Sequence, residues 1–253
     1  MMFNGKPTMK DKIALITGAS SGIGAAAAQL LAREGVVVAA VARRADRLST
    51  LIKGIEAAGG RGGAFAADVG NQTAAEAVIQ QVLARYGRID ILVNSAGILR
   101  PGDTETSEPA HWREMFDINV FSAMYMSRAV LPAMRERRDG HIVVVSSTAG
   151  RLVGAGNVGY TSSKHAVNAF ADAMRQEVAL LGIRVTLIEP GATTTEVAQS
   201  IPDPEARAKM ELHVSKEGSM RPEDVGGAIV YAVNQPPNVN VREIWLAPTA
   251  AVR

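Results

Sequence analysis

Short apolar runs rich in β-branched residues alternate along this chain with longer stretches whose apolar positions recur every three to four residues. The first run, KIALIT at 12–17, leads into GASSGIG and then the alanine-rich AAAAQLLAREG. A second, VVVAAVA, follows Gly35 and ends at Arg43 and Arg44, and a third, GAFAADV, ends at Asp68. Later runs are RIDILV at 88–93, HIVVVSS at 141–147, RVTLIEP at 184–190 and VREIWLAP at 241–248. Runs of this length and composition predict strands buried on both faces, whereas the intervening period of 3.6 predicts helices. Helices are expected over about 49–58, 74–86, 110–138, 160–181 and 222–234, besides the one after the glycine loop. Ser107 is placed as the cap of the 110–138 helix, and Pro132 is expected to kink or end it. Strand and helix alternation at crossover spacing predicts an α/β fold: a doubly wound, seven-stranded parallel sheet with helices on both faces.

No linker, repeat or low-complexity tract divides the chain, so residues 1–253 read as one domain. The tract 191–220 is polar and carries prolines, which suits a substrate loop at about 192–220 containing a short helix. Cysteine is absent, which excludes disulfides and thiolate nucleophiles, and the four histidines show no metal-ligand spacing, so no metal is expected. A net charge of +2 spread along the chain gives no stripe for nucleic acid, and RERR at 135–138 reads as a solvated helix end. Neither a secretory core near the N-terminus nor an apolar run of membrane length is visible, so the expectation is a soluble, cytoplasmic protein with no membrane partner.

Candidate chemistry concentrates at 146–164, SSTAGRLVGAGNVGYTSSK. Tyr160 and Lys164 are four residues apart at the start of a predicted helix and therefore share a face. A phenol titrates at about pH 10, and a neighbouring ammonium favours the phenolate. On this reading Tyr160 exchanges a proton near neutrality. Ser147 closes a buried strand, and the carboxyl ends of strands are where open α/β sheets bind ligands. Gly18, Gly22 and Gly24 permit a tight turn and close approach to a pyrophosphate, although three residues separate the first two glycines, unlike G-x-G-x-x-G. About 20 residues on, where a carboxylate binds the ribose of NAD, the chain has Arg43 and Arg44, which suit the 2′-phosphate of NADP. Arg151 either meets an anionic substrate group or is a surface arginine, and His165 reads as packing.

Taken in order, TGASSGIG, NSAG, mid-helix Asn119, Ser147, YTSSK and EPGATTTE resemble the short-chain dehydrogenase/reductase family over essentially the whole chain. Two departures are Ser95, where the family usually has a second Asn, and the glycine-rich segment before Tyr160. The resemblance implies a Rossmann-like fold and an NADP(H)-dependent oxidoreductase acting on a small carbonyl or alcohol substrate. It makes Tyr160 the general acid or base, with Lys164 lowering its pKa and Ser147 holding the carbonyl oxygen. Asn119 holds a water that links Lys164 to solvent. The cofactor is assigned to Gly18, Ser20, Ser21, Gly22, Ile23, Gly24, Arg43, Arg44, Tyr160 and Lys164. Asp68 and Val69 join them at the adenine, as do Asn94, Ala96 and Gly97 in the cleft, with Pro190, Gly191, Thr193 and Thr195 toward the nicotinamide. The TEVA segment, the Met- and His-bearing tract after Pro204 and the C-terminal NVREIWLAPTA resemble the branch of serine 3-dehydrogenase and clavulanate dehydrogenase. A homotetramer, or homodimer, is implied through the apolar helices around 110–138 and 160–181. The alternatives are an NAD-preferring dehydrogenase and a nucleotide-binding sensor without catalysis.

Overall fold

A computed structural model describes residues 9–251. The first eight residues, part of the N-terminal stretch read above for a secretory signal, lie outside the described residues. The sheet is built from β1 (Ile13–Thr17), β2 (Val37–Ala42), β3 (Arg61–Ala66), β4 (Ile91–Asn94), β5 (Gly140–Val145), β6 (Ile183–Pro190) and β7 (Glu243–Leu246). Its order is β3-β2-β1-β4-β5-β6-β7, with every pairing parallel. The order reverses between β1 and β4, so a crevice opens there at the carboxyl edge.

The apolar runs explain themselves once the helices are placed. Along β1, Ile13 and Leu15 enter one core with α3 (Gln72–Tyr86), α5 (Ser122–Arg137) and α6 (Val158–Val178). Ala14 and Ile16 enter the other, with α1 (Gly22–Arg33), α2 (Ala45–Ala57) and α8 (Pro222–Val233). Both faces of the central strands are covered, so an unbroken apolar run serves where alternation would not. Each fully buried Leu or Ile contributes about 1.5–3 kcal/mol. Edge strands β3 and β7 keep exposed positions. Among the described residues no helix is long and apolar enough to cross a membrane.

Several local expectations change. The predicted helix at 110–138 divides at a π-helical turn over Asp117–Phe121, between α4 (Pro109–Phe116) and α5. Pro132 lies inside α5 without ending it. Glu108 rather than Ser107 precedes α4, with Pro109 in its first turn. The RERR patch is more than a solvated end: Arg138 closes α5 with a left-handed backbone, while Arg137 reaches the buried Asp90 at 2.5 Å. The tract after Pro190 does contain short helices, a 3₁₀ turn at Glu196–Ser200 and α7 (Pro204–Glu217).

The amino edge of the sheet holds a buried histidine. His141 Nε2 lies 2.8 Å from Thr186 Oγ1, whose own hydrogen goes to Val241 O at 2.6 Å. Nε2 must therefore carry the proton, and buried Nδ1 has no partner among the described residues. Burial, then the charges of Arg184 and Lys12, hold its pKa well below the usual value. The unfolded chain takes up this proton below about pH 6.5 while the native state does not, so stability falls as pH drops through that value. Comparing urea midpoints at pH 7.5 and 5.5, His141→Gln should lose about 1.4 kcal/mol of the parent's acid destabilisation. Equal acid sensitivity in both proteins would show that His141 is charged when folded.

Candidate active site

The candidate site residues sit at, or just beyond, the carboxyl ends of β1, β2, β3, β4, β5 and β6, on α6, or, for Asn119, in the π-helical turn between α4 and α5. Ser147 follows β5 and accepts a hydrogen bond from Ala149 N at 3.1 Å, forming the turn Thr148–Gly150. Tyr160 and Lys164 stand in the first two turns of α6, which begins just after Asn157. Ser147 hydrogen-bonds to the Tyr160 phenol, and Lys164 Nζ lies 5.7 Å from the Tyr160 ring centroid. The three side chains thus lie side by side.

Their ionisation differs from the sequence expectation. Burial raises the Tyr160 phenol above its ordinary value, and the Ser147 hydrogen bond offsets this only in part. Lys164 is buried, donates to Val145 O at 3.3 Å, and has its pKa lowered by burial to about 8. Its ammonium is directed at a main-chain carbonyl, and the phenol is not drawn toward neutrality. Tyr160 is therefore a protonated hydroxyl at neutral pH, suited to donate.

Asn119 explains the π-helical turn. Its Oδ1 accepts from Ile98 N at 2.8 Å, and its Nδ2 donates to Ile98 O and Ser163 Oγ, each at 3.0 Å. Ser163 in turn donates to Tyr160 O at 2.7 Å. One side chain thereby joins the loop after β4 to the helix that carries Tyr160. Gly97 lies beside it, since a Cβ there would sit 3.5 Å from Asn119 Oδ1 and 3.8 Å from Lys164 Nζ.

The cleft fits a dinucleotide. A Cβ on Gly24 would fall 2.5 Å from Gly18 O, and one on Gly18 2.7 Å from Ser95 O, so the chain packs this closely only because both are glycine. No side chain caps the first amides of α1, which leaves the donors that a pyrophosphate takes. Ile23 packs on the core behind them. Arg44 donates to Ser20 Oγ at 3.2 and 2.9 Å and to Ser21 Oγ at 2.9 Å, while Arg43 is exposed at the end of β2. Asp68 is exposed beyond β3 with buried Val69 after it. Asn94 donates to Ser127 Oγ at 3.2 Å, and its buried Oδ1 has no partner among the described residues. Ala96 N donates to Thr17 Oγ1, Gly191 N to Leu246 O, and Thr193 Oγ1 to Gly191 O. Pro190 ends β6, and the Thr195 side chain approaches to 3.3 Å of a Cβ built on Gly22.

Sequence reasoning missed Thr17, which accepts from both Ser95 N and Ala96 N and so shapes the NSAG turn. It also missed Glu189, fully buried at the end of β6, and Asn168, which donates to Glu189 at 2.7 Å and to Gly150 O at 3.1 Å. Arg151 belongs to this group. It pairs with Glu189 at 2.7 Å and with Glu243, and lies over the Trp245 ring. It lies at the surface, as one of the two readings had it, with its guanidinium committed to these carboxylates rather than turned to an anionic substrate. His165 is exposed, its Nδ1 2.9 Å from Thr161 O, rather than packed. The signal for Glu189 and Asn168 is a carboxylate and an amide in otherwise apolar segments.

A family model described as short chain dehydrogenase matches residues 12–206. An uncharacterized oxidoreductase of Staphylococcus saprophyticus is 35% identical over 246 residues, covering 96% of this chain and 98% of the relative. The closed form of serine dehydrogenase complexed with NADP+ superimposes with a TM-score of 0.86 at 33% identity, covering 92% of this chain and 93% of that one. An alcohol dehydrogenase from the archaeon Thermococcus sibiricus complexed with 5-hydroxy-NADP has a TM-score of 0.84 at 28% identity, covering 94% and 96%.

Proposed function

Since this chain belongs to the short-chain dehydrogenase/reductase family, we propose that it interconverts an alcohol and its ketone or aldehyde with NADP(H). The observation that carries the proposal is the meeting of Ser147, Tyr160 and Lys164, with Lys164 next to Gly97 and the close-packed glycine loop beyond it. The dinucleotide, when bound, supplies or accepts the hydride.

The chain's own groups do the rest. In reduction Tyr160 gives its phenolic proton to the substrate oxygen, and Ser147 donates a hydrogen bond to that same oxygen as charge builds on it. Lys164, buried beside the ring, carries positive charge below about pH 8 and stabilises the phenolate left behind. Asn119 holds the loop after β4 against α6, and by family resemblance keeps the water through which Lys164 regains contact with solvent. Arg44, held against Ser20 and Ser21, takes the 2′-phosphate, with Arg43 beside it. The amides after Gly18 take the pyrophosphate and Thr195 the carboxamide. Support for NADP comes from these arginines and from the two similar structures that contain it or its 5-hydroxy form.

Following NADPH and NADH oxidation over a panel of small aldehydes, keto acids and cyclic ketones tests the reading. Consumption is expected with NADPH in clear preference to NADH. Matched kinetics with both cofactors would favour an NAD-type dehydrogenase. Dinucleotide binding without turnover across the panel would count for a nucleotide sensor.

A further inference from the structure

Beside the proposed 2′-phosphate position a carboxylate already occupies the arginines. Glu196, from the segment after β6, accepts from Arg44 Nη1 at 3.1 Å and receives Arg47 Nη1 at 2.6 Å on both carboxyl oxygens. Arg44 is thereby divided, with Nε and Nη2 on the Ser20 and Ser21 hydroxyls and Nη1 on Glu196. Hydrogen bonds from Arg47 first, and then Arg44, outweigh partial burial and hold the Glu196 carboxyl below the usual range, so it is ionised at neutral pH. The same segment is tied at its other end. Leu99 N donates to Ser200 Oγ at 3.2 Å, and Arg100, paired with Glu114 at 2.9 Å, donates to Ser200 O. Between the ties Thr195 lies against the glycine loop.

We propose that Glu196 is a cofactor-selectivity residue that straps the 195–200 segment to Arg44 and Arg47, so that a 2′-phosphate gains Arg44 only by displacing it. This rests on the reading that Arg44 receives that phosphate. A phosphate monoester brings about 1.5–2 negative charges and is repelled by a carboxylate already held on the same guanidinium. NAD presents a neutral hydroxyl there and lets the strap close again once it is seated. The strap therefore lowers affinity for NADP and leaves that for NAD unchanged, because a ligand shifts an equilibrium only by its differential interaction with the two states. Both ion pairs are about one third to two fifths exposed. At that exposure the penalty is modest, roughly two- to fivefold in Kd. By the same linkage NADP, and not NAD, releases the 195–200 segment.

Calorimetric titration of NADP+ and NAD+ into the parent, Glu196→Gln and Arg44→Ala, with hydrogen exchange on the parent, tests this. Glu196→Gln is expected to bind NADP+ roughly two- to fivefold more tightly at low salt, with NAD+ unchanged. NADP+ is expected to speed amide exchange over 195–200 where NAD+ does not. If Arg44→Ala weakens NADP+ binding while Glu196→Gln leaves it unchanged, weakens it, or alters both cofactors equally, the strap is wrong and the cofactor reading stands. If Arg44→Ala leaves NADP+ binding unchanged, the cofactor reading fails and the strap with it.

Discussion

Tyr160→Phe is expected to fold and bind the dinucleotide like the parent while turnover falls by roughly 10²- to 10⁴-fold. Phenylalanine keeps the ring beside Lys164 and removes only the hydroxyl that meets Ser147. The lost hydrogen bond alters stability by only about 1 kcal/mol. That loss corresponds to a barrier higher by about 3–5 kcal/mol. Single-turnover oxidation of NADPH, with cofactor affinity and unfolding midpoint measured on the same sample, separates chemistry from folding. Turnover at the parent's level would rule out Tyr160 as the acid.

The reverse pattern is expected of Asp90→Ala, at the opposite edge of the sheet. Asp90 is almost fully buried; its carboxylate accepts from Ile13 N at 2.7 Å and Arg137 at 2.5 Å and forms an ion pair with Arg88 at 3.1 Å. Its backbone pairs with Ile13 and His141. One side chain therefore joins β1, β4 and the end of α5. Alanine leaves Ile13 N–H without its acceptor and two guanidinium groups without their counter-charge. Removing one partner of a fully buried pair costs about 3–5 kcal/mol. Both arginines here reach solvent, which lowers the expectation to about 2–4 kcal/mol. Thermal unfolding should fall by about 5–12 °C, with turnover per folded molecule intact at low temperature. An unchanged melting temperature would mean that Arg88 and Arg137 do not depend on Asp90.

Much of this architecture was legible because parallel strands covered on both faces leave a simple trace, the unbroken apolar run, and the glycine loop, Arg44, Ser147, Tyr160 and Lys164 all follow such runs. What stayed hidden depends on partners far away in sequence. The π-helical turn at 117–121 exists because Asn119 meets Ile98 and Ser163, and no local preference in DINVF announces that. Pro132 was expected to kink or end its helix; it does not end it, and the packing of Met126, Val130 and Met134 in the core carries α5 past it. Arg151 looked available to substrate because its partners Glu189 and Glu243 lie 38 and 92 residues away. The i,i+4 spacing of Tyr160 and Lys164 predicted a shared face correctly, but could not show that the ammonium turns to Val145 O.

The polar group of Asn168 and Arg151 around the fully buried Glu189 bears on how the chain after Ser147 is held. It grips Gly150 and Arg151 immediately after Ser147, and from there the chain runs outward through exposed Leu152 and Val153. The Ser147 hydroxyl is thus moored on the sheet side of that grip and an exposed apolar lip hangs on the other. The lip can be lengthened, shortened or rewritten while the mooring holds the chemistry still. If Ser147 acts as proposed, specificity is open to change at this point of the chain without rebuilding what lies beneath it.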